Sequence, residues 1–441
     1  MKKEQLCSRR TAKLALLLAL VFTFVPSLHA QEYTKQVLYE NSSGSIIREY
    51  KEDTNIVYNV SDDFNGFLMV TEAGTMVPVL KIKEDSYVND FEIYNDTVYF
   101  CGQSYDALNM RFIGFTGYFG LSAFPTTAIR AYYLPKFKNL TRMELLHSAY
   151  GGPMHIAMVG KTEEGFPTIA DAIVMSPSTW NFYYSTGDGV DKVYDDVAVT
   201  SSHVLAAVRN TMDKSGEIYY FDHPLPGYTF LYGTAFKVSM DTNILSNIIL
   251  EARDEDQFSS VCNIQDGELS QMIDVVNYSG MSNIHNHVII EARTHTPRDL
   301  KYNPDEQKLD VLTNTMYYSI AYSEIFHVNS SNIVDGHQYI DHHIRSLSYL
   351  NTSPYHFIAS GFSDEGQYLY IYRYLPSNVM KCPDIVRPRY STMKIDKVLI
   401  PFGLHVNTLD GLLSHVLQGI GEDTLKTRCL VDPRLNNNND Q

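Results

Sequence analysis

Val88-Asn89-Asp90-Phe91-Glu92-Ile93, then Asn95-Asp96, then Val98-Tyr99-Phe100-Cys101-Gly102, is the stretch on which the fold turns. Its first half alternates apolar and polar residues, as a strand with unlike faces must, because successive side chains point to opposite sides. Asn-Asp is turn chemistry, since both residues tolerate a left-handed backbone. The second half is apolar almost throughout and ends in glycine. Together they predict a β-hairpin.

The pattern recurs down the chain. Met143-Glu144-Leu145 leads to Ile156-Ala157-Met158-Val159-Gly160, and Val197-Ala198-Val199 to Leu205-Ala206-Ala207-Val208-Arg209. Ile273-Asp274-Val275 leads to Ile289-Ile290-Glu291-Ala292-Arg293, and Leu347-Ser348-Tyr349 to Phe357-Ile358-Ala359-Ser360-Gly361. Aromatic third strands follow at 112–115, 169–174, 218–221 and 368–372, with fourth strands at 128–134, 181–184, 230–238 and 393–400. Leading strands centred on residues 91, 143, 197, 273 and 347 are spaced by 52, 54, 76 and 74 residues. The first two intervals suit a four-stranded blade, and the last two leave extra loops or a missed blade.

Residues 294–310, with Pro297 and Pro304, read as the most loop-like stretch. A short helix is a candidate only at Leu409–Gly419. The expected fold is therefore all-β, a β-propeller of four-stranded blades, six with seven as the alternative count, over residues 31–430. Closing such units into a ring protects their edges. Two β-sandwich domains are the alternative.

A leading strand followed by Asp96-Thr97-Val98-Tyr99-Phe100-Cys101-Gly102 resembles the secreted β-propeller repeats of gut and oral bacteria, over most of residues 55–400. The resemblance implies a fold and no catalytic motif. Trp-Asp repeat endings, double-Gly kelch signatures and a sialidase Asp-box are all missing.

The N-terminus reads as an export signal over residues 1–30. Lys2, Lys3, Arg9, Arg10 and Lys13 precede an apolar run from Leu14 to Val25, closed by Pro26-Ser27-Leu28-His29-Ala30. This run is short of the roughly 20 apolar residues that cross a bilayer, and cleavage is expected between Ala30 and Gln31. The destination would be the periplasm, the cell surface or the medium, with no transmembrane anchor in the mature chain. Its removal leaves 30 Lys and Arg against 50 Asp and Glu, a net charge of −20. Such acidity argues against nucleic acid as a partner, which needs a basic footprint. Residues 431–441 form a polar tail. Cys101, Cys262, Cys382 and Cys429 survive processing and allow three pairings. Cys101 reads as a buried thiol, and Cys382 with Cys429 as the best disulfide pair.

Asp90, Glu92, Glu144, Asp195, Asp196 and Asp274 stand beside leading strands. Of these Asp90, Asp195 and Asp274 are the candidate catalytic acids, since paired carboxylates at a channel hydrolyse glycosides. The competing role for them is hydrogen bonding to backbone that locks blades. Trp180, Tyr183 and Tyr219 are the candidate binding aromatics, unless blade packing consumes them. His285, His287, His337, Asp341 and His343 are candidate metal ligands, and Asp188-Gly189-Val190-Asp191 a candidate calcium loop. No cofactor is expected, with calcium or another divalent metal the alternative. The function expected is an exported, non-catalytic propeller that binds a protein or glycan partner. The alternatives are an exported carbohydrate hydrolase and a structural part of a cell-surface assembly.

Overall fold

The computed structural model describes residues 31–430 apart from connections at 41–46, 51–54, 61–65, 71–75, 83–84, 122–129, 147–152, 177–178, 188, 226–227, 233, 241–242, 254–255, 267–269, 280–283, 291–293, 305, 318–319, 333, 341–342, 351–355, 363–367, 375–385, 393–394, 400–402 and 406–425. The signal segment, the polar tail, Cys382 and the helix candidate at 409–419 lie outside the described residues.

Seven antiparallel sheets follow one another along the chain. Blade 1 comprises Ile47–Tyr50, Asn55–Val60, Gly66–Val70 and Met76–Lys81, and blade 2 comprises Ser86–Tyr94, Thr97–Asp106, Arg111–Gly120 and Arg130–Leu134. Blade 3 holds Phe137–Leu146, Met154–Thr162, Pro167–Ser176 and Thr179–Thr186, and blade 4 holds Lys192–Val199, His203–Asn210, Gly216–Asp222 and Thr234–Ser239. Blade 5 is Ile249–Ala252, Gln257–Asp266, Ser270–Ser279 and Ile284–Ile290, and blade 6 is Thr296–Asn303, Lys308–Tyr317, Ile320–Val328 and Val334–Ile340. Blade 7 takes His343–Leu350, His356–Phe362 and Tyr368–Tyr374 from the C-terminal side and completes itself with Gln31–Glu40 from the N-terminus. The first strand of each blade lies beside the first strands of its two neighbours, and Ile47–Tyr50 meets both Ser86–Tyr94 and His343–Leu350. The ring is closed. Among the described residues there is no α-helix, hence none able to cross a membrane.

The opening hairpin forms as its sequence requires. Tyr94 pairs with Thr97 across a two-residue turn, and Asn95 and Asp96 both take positive φ, 46° and 58°. That is the left-handed pair a tight hairpin with the native strand twist demands. Gly102 and Gly160, within the second strands of blades 2 and 3, answer to a bulge in the facing inner strand. A Cβ on Gly102 would stand 1.9 Å from the Tyr87 carbonyl oxygen, and one on Gly160 would stand 2.1 Å from that of Asn139.

Second strands bury side chains of both alternating sets because each blade is covered on both faces by its neighbours. Val57 and Phe67 of blade 1 pack with Phe91, Phe100 and Phe119 of blade 2. Cys101 and Tyr132 of blade 2 pack with Met143, Ile156 and Trp180 of blade 3. Similar cores join blades 3 to 4, 4 to 5, and 5 to 6. Each fully buried Phe contributes about 1.5–3 kcal/mol, so the interfaces between blades carry the fold.

Four expectations are corrected. The seven blades make the larger count the right one, and the 76- and 74-residue intervals enclose a blade that the spacing skipped. Ile273-Asp274-Val275 belongs to the third strand of blade 5, whose inner strand is the four-residue Ile249–Ala252. The loop-like stretch at 294–310 contains the inner strand of blade 6, with Pro297 beside its bulge, a place in a sheet where proline is tolerated. The C-terminal segment supplies fifth, outermost strands in place of a blade's own fourth strand. Val386–Thr392, Ile395–Leu399 and Gly403–His405 add to blades 5, 4 and 3 in turn, and Lys426–Leu430 adds to Gln31–Glu40 of blade 7.

Candidate functional site

The inner strands line a central channel. A bulge in the inner strands of blades 2, 4 and 6 sets an aspartate at the start of the regular ladder. Asp90 accepts a hydrogen bond from its neighbour's amide, Phe91 N, at 3.0 Å, and a second from Met143 N of blade 3 at 3.0 Å. Asp196 accepts from Val197 N at 2.9 Å and from Leu250 N of blade 5 at 2.8 Å. Asp299 repeats the arrangement with Leu300 N at 3.0 Å and Leu347 N of blade 7 at 2.7 Å. Each is a clasp: one carboxylate satisfies two amides, and the second amide belongs to the next blade. Buried amides left without an acceptor are costly, which explains why an acid recurs at alternate blades.

Asp195 is the bulged residue of blade 4 and makes a further clasp. Its Oδ2 accepts from Ile248 N of blade 5 at 3.0 Å, and Arg209 grips both oxygens, Nε to Oδ2 at 2.8 Å and Nη2 to Oδ1 at 3.1 Å. Burial raises its carboxyl, against the pull of Arg209. Glu251 accepts from Tyr302 N at 3.1 Å and from Lys301 Nζ at 3.3 Å. Asp196 is pushed up to about 7 by burial, opposed by the Arg142 guanidinium 3.8 Å away.

Asp90, Asp196, Glu251 and Asp299 bound a channel cavity of about 290 Å³, with Glu92, Glu144 and Lys301 also on its wall. A larger cavity of about 510 Å³ adjoins it where the inner strands begin, and shares Arg142, Asp196 and Ile249 with it. This mouth is built from four blades and more. Asn89, Asp195, Asn247, Thr296, Arg298 and His343 line it, so amides, a hydroxyl, guanidinium groups and an imidazole face one space with the carboxylates of Asp195 and Asp196.

The other sequence candidates fall elsewhere. Asp274 stands away from the channel, a correction that follows from its third-strand position. It is buried within blade 5, and both its oxygens lie 3.0 Å from His287 Nδ1. Equivalent buried pairs join neighbouring strands in blade 3, His155 with Asp171, and in blade 6, His327 with Asp310. Asp171 also accepts from Phe230 N of blade 4 at 3.2 Å. His343 reaches the mouth, its Nε2 3.3 Å from the Thr315 carbonyl. The side chains of His285 and His337, and Asp341 entirely, lie outside the described residues, as does Asp188 of the calcium candidate. Among the described residues no three His, Cys, Asp or Glu side chains gather as a metal site.

Trp180 is 5% exposed and stacks between blades 2 and 3, with Tyr132 at 4.7 Å and Tyr118 at 5.5 Å between ring centroids. Tyr219 is buried between blades 3 and 4, its hydroxyl donating to Glu217, and Tyr183 packs half-buried against the same core. Sequence reasoning passed over the exposed aromatics, Tyr228 and Tyr232, which stand with Leu225 in the 223–233 connection of blade 4. Cys101 and Cys262 are buried thiols, and burial raises the Cys101 thiol well above its ordinary value. The side chain of Cys429 lies outside the described residues.

Sheet order and channel together define the class: the chain is a seven-bladed β-propeller closed by its N-terminal strand. No family matches it, and no curated protein matches it in sequence. Among solved structures it is similar to a prolyl endopeptidase, with a TM-score of 0.44 and 10% identity over 77% of this chain and 51% of that one, so it spans about half of that protein's length. It is similar to the CNH domain of AfRom2 with a TM-score of 0.42 and 10% identity, over 77% of this chain and 98% of that one. It is also similar to the β-propeller domain of the Trilobed protease from Pyrococcus furiosus, with a TM-score of 0.33 and 11% identity over 68% and 97%.

Proposed function

We propose that the chain is an exported, non-catalytic propeller that holds a protein or glycan partner at the channel mouth. The observation that carries the reading is the state of the channel acids. Asp90, Asp196 and Asp299 turn both oxygens to strand amides and Asp195 is held by Arg209 and the Ile248 amide, whereas the neighbouring mouth adds amide, hydroxyl and guanidinium groups around a cavity of small-ligand size. Arg298 is exposed there and makes no hydrogen bond among the described residues. Export is supported by the basic, apolar and small-residue order of residues 1–30. The closing strand begins at Gln31, so cleavage after Ala30 leaves blade 7 whole.

The test is retention of the mature chain on glycan and cell-surface protein arrays. Arg298→Ala and Asn247→Ala are expected to weaken retention about tenfold each, as loss of a charged or well-placed hydrogen bond does. Unchanged retention by both variants places the partner elsewhere. Co-purification with an outer-membrane complex, with no ligand held alone, favours the structural role.

One observation favours hydrolysis as the second reading. Asp196 lines the channel cavity with its carboxyl at about 7, the range in which a general acid works near neutral pH. Release of reducing ends from a glycan, abolished by Asp196→Asn, supports that reading and removes the first.

A further inference from the structure

The face of the ring opposite the mouth holds another cavity, of about 430 Å³, between blades 5 and 6. Arg253 leaves the inner strand of blade 5 and lays its guanidinium over the ring of Tyr302, 4.8 Å from the centroid. Tyr302 belongs to the inner strand of blade 6, so the stack joins the two blades. Stacking fixes the plane of the guanidinium and leaves its edge donors for a ligand. Its Nε is buried and without a hydrogen-bond partner among the described residues. A buried donor left unmade is costly, and a ligand acceptor removes that cost.

Gln257, Asn286 and Gln307 line the same cavity, and their side chains make no hydrogen bond among the described residues. Among the described residues no Asp or Glu is on the cavity wall, although the chain carries a net charge of −16. One fixed guanidinium among neutral described side chains favours an anion over a cation. Amide side chains both donate and accept, which suits hydroxyl groups that do the same. A carboxylate flanked by hydroxyls satisfies both halves of the wall, whereas an acidic peptide satisfies only the guanidinium.

We propose that this cavity binds a uronate residue of an acidic glycan, with the sugar carboxylate on Arg253 and ring hydroxyls on Gln257, Asn286 and Gln307. The site is separate from the channel mouth and stands whatever occupies that mouth. Calorimetric titration of the mature chain with glucuronate, galacturonate, mannuronate and guluronate oligosaccharides tests it, beside neutral oligosaccharides of the same length and an oligoglutamate peptide. At least one uronate should bind, with the neutral counterpart and the peptide at least tenfold weaker. Arg253→Gln should lose about 10- to 100-fold, the value of a charged hydrogen-bonded pair. Arg253→Lys should lose about tenfold despite its charge, because it lacks the fork. Asn286→Ala, a milder change, should lose about fivefold and serves where the Arg253 variants do not fold. Failure of every uronate to bind the folded chain overturns the proposal. So does equal binding of neutral sugar or peptide, or undiminished binding by a folded Arg253→Gln or by Asn286→Ala.

Discussion

Asp90 offers the sharpest test of the clasps between blades. Replacement by Ala leaves two amides without their acceptor, Phe91 N in its own strand and Met143 N in blade 3. Asp90 is 4% exposed, so water reaches that space poorly. Each unsatisfied amide costs about 1–3 kcal/mol, giving about 2–6 kcal/mol for Asp90→Ala. Asp90→Asn keeps one carbonyl acceptor and turns an NH2 toward the other amide, so about 1–3 kcal/mol is expected. An unfolding entropy of about 2.1 cal/mol/K per residue makes the Ala change worth a fall in Tm of about 2–7 °C for a chain of this size. The assay is already built into the protein. Trp180 is its single tryptophan and lies in the same interface between blades 2 and 3, stacked on Tyr132 and Tyr118. Its emission followed through a urea titration therefore reports the interface that Asp90 clasps. Lys138→Ala, at an exposed position, is the control and should stay within about 0.5 kcal/mol. An Asp90→Ala chain as stable as that control refutes the clasp.

Other outcomes follow from the same geometry. The Asp196 carboxyl is raised from 3.8 to about 7 in the fold. Between about pH 4 and pH 7 the unfolded chain gives up a proton that the folded chain keeps, so this group's contribution to stability falls as pH rises, by up to about 4 kcal/mol. Denaturant titrations from pH 4 to pH 8 should show that slope in the natural chain and its loss in Asp196→Asn. Gly102→Ala places a Cβ against the Tyr87 carbonyl and should destabilise by several kcal/mol, as overpacking does; a thermal melt matching the natural chain contradicts it. A chain beginning at residue 41 lacks the outer strand of blade 7 and should melt earlier with an opened ring, which small-angle scattering detects as a larger radius. Thiol labelling at pH 8 followed by peptide mapping should leave Cys101 unmodified until denaturant is added, because burial excludes reagent and disfavours the thiolate.

The parts of the fold legible in the sequence are those carried by local chemistry. The left-handed pair Asn95-Asp96 marks its hairpin, and the 52- and 54-residue intervals set blades 2, 3 and 4 in phase. Phase was lost at blade 5 because its inner strand, Ile249–Ala252, is too short to show alternation. It was lost again at blade 6 because Pro297 signals a loop, and only the ladder shows it seated in a bulge. The closing strand was invisible for another reason. Gln31–Glu40 pairs with Tyr368–Tyr374, across nearly the whole chain, and nothing local announces that partner. Acids beside leading strands were legible as a recurring pattern, and the clasp at Asp90 is the backbone-locking role that the pattern allowed. Asp299 carries no such signal because Pro297 and Pro304 mark its segment as a loop. Of the mouth residues Asp195, Asp196 and His343 are sequence candidates, and nothing in the sequence groups them, since strand starts from several blades build that cavity and no spacing rule joins them.

The central claim is that the channel acids hold blades together while the adjoining mouth holds a partner. Incubation of the mature chain with a glycan array, read for retained protein and for released reducing ends on the same spots, tests it most directly. Retention without release, weakened by Arg298→Ala, is the result predicted. Release of reducing ends that Asp196→Asn abolishes would contradict it.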